Sequence, residues 1–306
     1  MQSVTPGSVR AVMFVLGFLY AAAPGLAPSA EASTGLSFLK MGAGARAMAL
    51  GGAVVSNVDD ASAVYWNPAA LAQLSGMHAE LMHNESFQDV RYEFASVTRR
   101  LNDRHAVGLA FNGVWMDQLR GYDETGRFEG DFGYYGLAVE AAYGLAVMER
   151  ISVGVLASYL QEGMDVFSTS GMALGFGLQA REIVRGLHAG VAVRNLGGSM
   201  EYERESFDLP LTVQGGATYV LPVRALDGRF LVSAEARKIR DEDANLLFGA
   251  EYRYRENARL QTGYRSGLDT QDVTFGFAVG NHRFQGQYAL VPFSENLGEQ
   301  HTFSVS

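Results

Sequence analysis

The sequence of 306 residues contains no cysteine. That absence removes disulfides, thiolate nucleophiles and thiolate metal sites together. Long apolar runs are also missing: past the first thirty or so residues, no stretch reaches the ~18 consecutive apolar residues that a membrane-crossing helix needs. The net charge of −9 comes without a basic stripe, so nothing is arranged to neutralise a phosphate backbone, and no nucleic-acid partner is expected. Catalytic signatures are absent too, with no G-x-S-x-G nucleophile elbow and no H-E-x-x-H zinc helix. Gly42-x-Gly44-x-x-Ala47 has the outline of a dinucleotide fingerprint, but no strand precedes it and no strand–helix units follow. Ser170 and His188 are conceivable pieces of a hydrolase site, and nothing in the sequence brings them together. The expectation is a protein that is not an enzyme, with no catalytic, cofactor-binding or metal residues.

What the sequence has instead is a beat of two. From Leu137 to Leu145 the odd positions are apolar, and the even ones are small apart from Glu140. Successive side chains of a strand point to opposite faces, so one face is greasy and the other suits water. The beat returns in Val107/Leu109/Phe111, Ile151/Val153/Val155, Phe248/Ala250/Tyr252 and Val273/Phe275/Phe277. Runs of about nine to eleven residues suit a tilted crossing of a bilayer, whereas strands of soluble sandwiches are nearer five or six. No Pro/Ser-rich linker divides the repeating region. The predicted fold class is all-β: a transmembrane antiparallel β-barrel of about 14 strands over residues 77–306, an even count as bacterial barrels have.

Strands are expected near 77–86, 90–100, 105–116, 133–146, 151–161, 171–181 and 187–196, then near 210–221, 229–238, 245–255, 258–265, 272–280, 283–290 and 300–306. Short connections alternate with longer ones such as 117–132, 162–170 and 197–209, as in barrels with tight turns on one rim and loops on the other. The 36 glycines, about 12 % against a usual ~7 %, fall repeatedly on the small face, where a crowded interior favours them. Aromatic residues near strand ends, among them Trp115, Tyr134, Tyr159 and Tyr264, fit interfacial girdles or ordinary core filling equally.

The small face of the later strands also carries Glu235, Arg237, Glu251, Arg253, Arg259, Arg265 and Arg283. A charge facing lipid at mid-membrane costs about 2–4 kcal/mol, so these are expected to point into the lumen. There they form either structural glue or a polar path, and mutual pairing favours glue.

Two segments stand outside the beat. Residues 1–32 hold Arg10, an apolar run over 11–23 and Ala30-Glu31-Ala32, the pattern of a secretory signal peptide whose core is too short to span. Residues 33–76 do not alternate and are expected to form a plug in the barrel mouth. In them Asp59 or Asp60 suits a helix cap and Asn67-Pro68 a turn.

The string from Phe38 to Leu71 carries Leu39-Lys40-x-Gly42, Ala45-Arg46-Ala47-Met48, Gly51-Gly52-Ala53, Asp59-Asp60-Ala61 and Asn67-Pro68-Ala69. It resembles the PorV/PorQ family of outer-membrane proteins, a branch of the long-chain fatty-acid transporter (FadL) superfamily of fourteen-stranded barrels with an N-terminal hatch. The resemblance is specific over about thirty-five residues. It makes Arg46, Gly51, Gly52, Asp59, Asp60, Asn67 and Pro68 the motif positions of the plug, which hold its fold or gate it. Such barrels commonly end on an aromatic residue, whereas this sequence ends Phe303-Ser304-Val305-Ser306. The resemblance implies a place in the cell outer membrane among its lipids. It further implies partners from a protein secretion or envelope system or, in the alternative, a hydrophobic small-molecule ligand carried as in FadL.

Overall fold

The computed structural model describes residues 34–306 apart from 87–89, 123–124, 165–166, 203–204, 226, 256, 268–271, 282 and 294–297; the leader expected over 1–32 lies outside the described residues. The first seven strands are β1 (Met77–Glu85), β2 (Val90–Arg100), β3 (His105–Tyr122), β4 (Phe128–Met148), β5 (Ile151–Met164), β6 (Phe167–Ala180) and β7 (Leu187–Gly197). A small hairpin, β8 (Met200–Tyr202) and β9 (Glu205–Phe207), follows. The wall then resumes with β10 (Thr212–Ala225), β11 (Gly228–Ile239), β12 (Asn245–Tyr254), β13 (Ala258–Arg265), β14 (Val273–Gly280), β15 (Gln285–Pro292) and β16 (Glu299–Val305). Apart from the hairpin, each strand pairs antiparallel with its neighbours in sequence, and β1 closes on β16 with Leu81 opposite Val305 and Glu85 opposite His301. The result is a closed barrel of fourteen strands.

The beat of two decides which side of the wall each residue takes. In β5, Val153, Val155 and Tyr159 are exposed on the outside, while Ser152, Leu156, Ser158 and Leu160 are buried inside. The outer surface continues in this way with Leu109, Val139, Leu174, Phe248 and Phe275, an apolar surface that lipid, not water, covers. Val155→Arg is therefore expected to cost about 2–4 kcal/mol of folding free energy in a bilayer. Urea titration in phosphatidylcholine vesicles checks this, and an unchanged midpoint would place Val155 off the membrane.

Two sequence expectations shift. The connections expected at 117–132 and 162–170 are largely strand: β3 and β4 pair as far as Tyr122 and Phe128, and β5 and β6 as far as Met164 and Phe167. Beyond the apolar band neither face of a hairpin must be greasy, so the alternation stops while the backbone ladder continues. The stretch expected as a plain loop at 197–209 folds into β8 and β9. Of the two readings open for Tyr134, the inward one applies: its hydroxyl donates to Glu162 Oε1 at 2.6 Å in the lumen.

Residues from Leu36 to Leu74 lie inside this wall, nearly all buried. They form a 3-10 turn (Ser37–Lys40), a short helix (Ala45–Ala49), a second helical turn (Ala63–Trp66) and a further 3-10 stretch (Pro68–Gln73). Their hydrogen-bond partners come from all round the barrel, including Met82 on β1, Leu178 on β6, Glu235 on β11, Glu251 on β12 and Ser304 on β16. Only a segment threaded through the lumen can meet partners on all sides.

Candidate functional site

The interior is built around the fit of this plug, and glycine makes the fit possible. Inward-facing glycines on several strands meet plug backbone directly. A Cβ on Gly144 would stand 2.9 Å from Pro68 O, and one on Gly190 would stand 2.5 Å from Val55 O. One on Gly154 would overlap Pro68 and Ala69, and one on Gly263 would overlap Gly51. The glycine excess read from the sequence is thus spent largely where wall and plug touch.

The motif positions make local contacts within the segment inside the wall. Asn67 sits at the turn into Pro68: its Oδ1 accepts from Ala69 N at 3.1 Å, and its Nδ2 donates to Val55 O at 2.9 Å and to Leu178 O at 3.3 Å. Pro68 takes the first position of the 3-10 stretch, where a missing N–H costs nothing. Gly51 and Gly52 have φ of 65° and 81°, a left-handed backbone that glycine adopts without strain. Asp60 accepts from Ser62 N at 3.0 Å and from its hydroxyl, closing a local turn.

Arg46 and Asp59 do more, because they tie the plug to the wall. Arg46 Nε donates to Glu251 Oε2 at 2.8 Å, and its Nη1 stands 3.4 Å from Asp59 Oδ1. Asp59 in turn meets Arg253 Nη1 at 2.7 Å and Arg259 Nη1 at 3.6 Å, and Arg253 also pairs with Glu251. Five charged groups from plug, β12 and β13 form one alternating network. Burial alone would push the Arg46 guanidinium down, yet Asp59 and Glu251 hold it above its ordinary value. Burial would likewise raise the Asp59 carboxyl, but Arg253, Arg46 and Arg259 hold it well below the usual carboxylate range. A group with a depressed folded pKa stabilises fully above its unfolded value and loses that contribution as the pH falls. The latch is therefore expected to be constant from neutrality down to about pH 4, the ordinary aspartate value, and to loosen below it. Proteolysis of the plug at pH 3 against pH 7 measures this, and an equal rate at both would remove Asp59 from the latch.

Glu235, also expected in the lumen, accepts from Val55 N at 3.1 Å, Ser56 N at 2.9 Å and Ser56 Oγ at 2.7 Å, which ties β11 to the plug. Arg265 Nε donates to Gly51 O at 3.2 Å. Arg237 is buried on the inner face of β11. Arg283 departs from expectation: it is exposed in the turn between β14 and β15 and does not reach the lumen, because the inward phase of β15 begins only at Gln285. Ser170 and His188 stay apart. Ser170 is paired with Gln161 towards the long-loop end, and His188 with Thr218 towards the short-turn end.

Residues outside the sequence list matter as well. Arg194, buried on β7, lies over the rings of Tyr65 at 4.4 Å and Trp66 at 5.0 Å, so a cation–π contact holds the plug on that side. Its inward phase was legible in the beat of β7, although the charges expected in the lumen were those of the later strands alone. Around it a single apolar cluster runs the height of the lumen, from Leu36, Met200 and Leu209 at the long-loop end, past Phe38, Phe94 and Leu160, to Val64, Leu71 and Leu74 near the short turns. The charged network occupies the opposite wall. Among the described residues no group of three or more His, Asp or Glu is placed to hold a metal ion.

Residues 21–166, just under half of the chain, match the profile described as Uncharacterised protein family (UPF0164). No curated protein matches the sequence. The fold is similar to that of the Pseudomonas putida toluene transporter TodX, at 12 % identity and a TM-score of 0.65, over 86 % of this chain and 97 % of that one. The CymD monoaromatic hydrocarbon channel gives 13 % identity and a TM-score of 0.62, over 89 % and 97 %. A Pseudomonas aeruginosa FadL homologue gives 13 % and 0.54, over 90 % and 98 %. At these identities the likeness is one of architecture, and the fourteen-stranded barrel is of FadL-like fold.

Proposed function

We propose that the protein is an outer-membrane channel for small hydrophobic molecules, exported by its leader and set with the short turns in the periplasm. The observation that carries the reading is the apolar cluster that the plug and the inner wall of β1 to β7 form together from one end of the lumen to the other. A polar solute gains nothing along such a lane, whereas an apolar one trades water for apolar side chains. The solved relatives named for toluene and monoaromatic hydrocarbons support the same class. The string that carries the PorV/PorQ resemblance is nearly all buried inside the wall and presents little surface to an exported protein. A secretion or envelope role therefore rests on the long-loop end alone.

The test is uptake of radiolabelled toluene and oleate by cells that lack their own hydrophobe channel and produce this protein. Several-fold faster uptake of at least one is expected. Folded barrel in the outer membrane without faster uptake of either compound would overturn the reading.

A further inference from the structure

We infer that the short-turn end of the barrel is a collar that binds the headgroups of anionic phospholipids, such as phosphatidylglycerol, in the leaflet it meets. Each of the six short turns carries an exposed arginine in it or beside it: Arg104 before β3, Arg150 before β5, Arg185 before β7, Arg229 at the start of β11, Arg255 after β12 and Arg283 before β15. These turns join the strands in pairs, so at an interstrand spacing of about 4.8 Å the arginine positions recur on the order of every 10 Å round the rim. Where β16 meets β1 there is no short turn, but Arg99, opposite Met77 at the foot of β2, is exposed and continues the series. The members lie tens of residues apart, so the sequence shows no basic stripe and only closure of the barrel assembles one.

Beside the arginines stand apolar side chains that a rim in water has no use for. Phe284 is 69 % exposed, Met148 63 % and Leu101 55 %, and Val147, Ile183 and Val184 are exposed with them. Guanidinium groups interleaved with apolar side chains suit the boundary between headgroups and acyl chains, where the cation meets phosphate and the apolar group meets carbon. Much of the charge is uncommitted: Arg255 pairs with Asp227 at 2.8 Å, but Arg104, Arg150, Arg185 and Arg283 form no ion pair among the described residues. The chain's two lysines, Lys40 and Lys238, lie towards the other end. Arginine's planar fork binds a phosphate through two parallel N–H bonds, which the point charge of lysine does not. The long-loop end has the opposite sign. Among the described residues, the exposed acids Glu85, Glu201, Asp241, Asp243, Asp272 and Glu299 there outnumber the exposed Arg91, Arg120 and Arg127. At the short turns the balance reverses, with the seven exposed arginines against Asp103, Glu149, Glu182 and Asp227. A chain of net charge −9 thus keeps an excess of positive charge at one end alone, and anionic headgroups are attracted there and repelled at the mouth. In the orientation proposed above the leaflet concerned is the periplasmic one; the lipid preference itself depends on the rim and not on what the lumen carries.

The test uses the folded full-length barrel in phosphatidylcholine vesicles carrying a trace of spin-labelled phosphatidylglycerol or spin-labelled phosphatidylcholine. The motionally restricted fraction of each label gives its relative association with the protein. Phosphatidylglycerol is expected to associate several-fold more strongly at low ionic strength, and molar NaCl should remove most of that preference. Arg104→Gln, Arg150→Gln, Arg185→Gln and Arg283→Gln combined should bring the ratio close to one, whereas Arg91→Gln, Arg120→Gln and Arg127→Gln combined should leave it unchanged. Wild type without a preference, a preference that survives molar salt or the four rim substitutions, or its loss in the mouth variant would each overturn the inference. So would loss of the wild-type preference in millimolar inorganic phosphate but not in chloride of equal ionic strength, because the arginines would then hold the free ion. The salt and phosphate arms need no variant to fold. Hydrophobe uptake plays no part in the measurement, so a negative result here leaves the channel reading standing, and the reverse holds as well.

Discussion

Gly154→Leu is expected to drive the plug out of the lumen while the wall stays folded. The side chain has nowhere to go, because its first carbon already overlaps the Pro68–Ala69 backbone. Overpacking a tight interior costs about 1–3 kcal/mol even where side chains can adjust. Here the obstacle is main chain fixed by Asn67, which accepts from Ala69 N and donates to Val55 O. The barrel ladder does not depend on that contact, so the strain relaxes by displacing the plug. Limited proteolysis should cut within residues 34–76 roughly tenfold faster or more, while the band of folded barrel in unheated gels remains. Gly286→Leu serves as the control: Gly286 is an exposed glycine whose Cβ would meet only Val279 O, at 3.8 Å. Equal cleavage in both variants would mean that the plug is not seated against β5.

Arg46→Met should cost about 3–5 kcal/mol, the range for removing one partner from a buried ion pair. Glu251 is then left on the inner wall with Arg253 and the Gln261 amide, and Asp59 loses one of three guanidinium neighbours. The methionine fills much of the same volume, which isolates the charge from the packing. Glu251→Gln should be destabilising for the complementary reason, since Arg46 keeps only Asp59 and Asn57 Oδ1, the latter at 3.1 Å. The double variant should recover part of the loss, because neither stranded charge remains. Urea midpoints of the four proteins in vesicles give the coupling. Losses that simply add would show that the pair acts as two independent contacts.

How much of this was legible in the sequence varies with the kind of signal. The beat of two is enforced by lipid on one side and the lumen on the other, so strands such as Val90–Arg100 and Ala258–Arg265 lie where the alternation puts them. Where lipid stops constraining the outer face the signal fades, and the upper ends of β3 to β6 read as loops although they are strands. Lumen charges were legible for the same physical reason, as with Glu235 and Glu251. Arg283 misled because a turn residue can fall in phase with a strand it does not belong to. The plug was the least legible in detail. Its contacts join residues about 200 positions apart, as in Arg46 with Glu251, and no local periodicity reports them. A buried Asn67 or a half-buried Asp59 looks like any turn residue until the wall closes round it.

The strands are far from equal in length, and that gives the molecule a front and a back. β4 has 21 residues and β3 has 18, whereas β13, β14 and β15 have 8 each. At a rise of about 3.3 Å per residue and a tilt of roughly 40°, the longest strand climbs some 50 Å and the short ones about 20 Å. An apolar band ~25 Å tall therefore almost hides the short flank and leaves the tall flank standing above the lipid like the back of a chair. Anything drifting in the plane of the membrane meets a parapet on one side and a low sill on the other, so approach to the mouth is directional before any side chain has been touched.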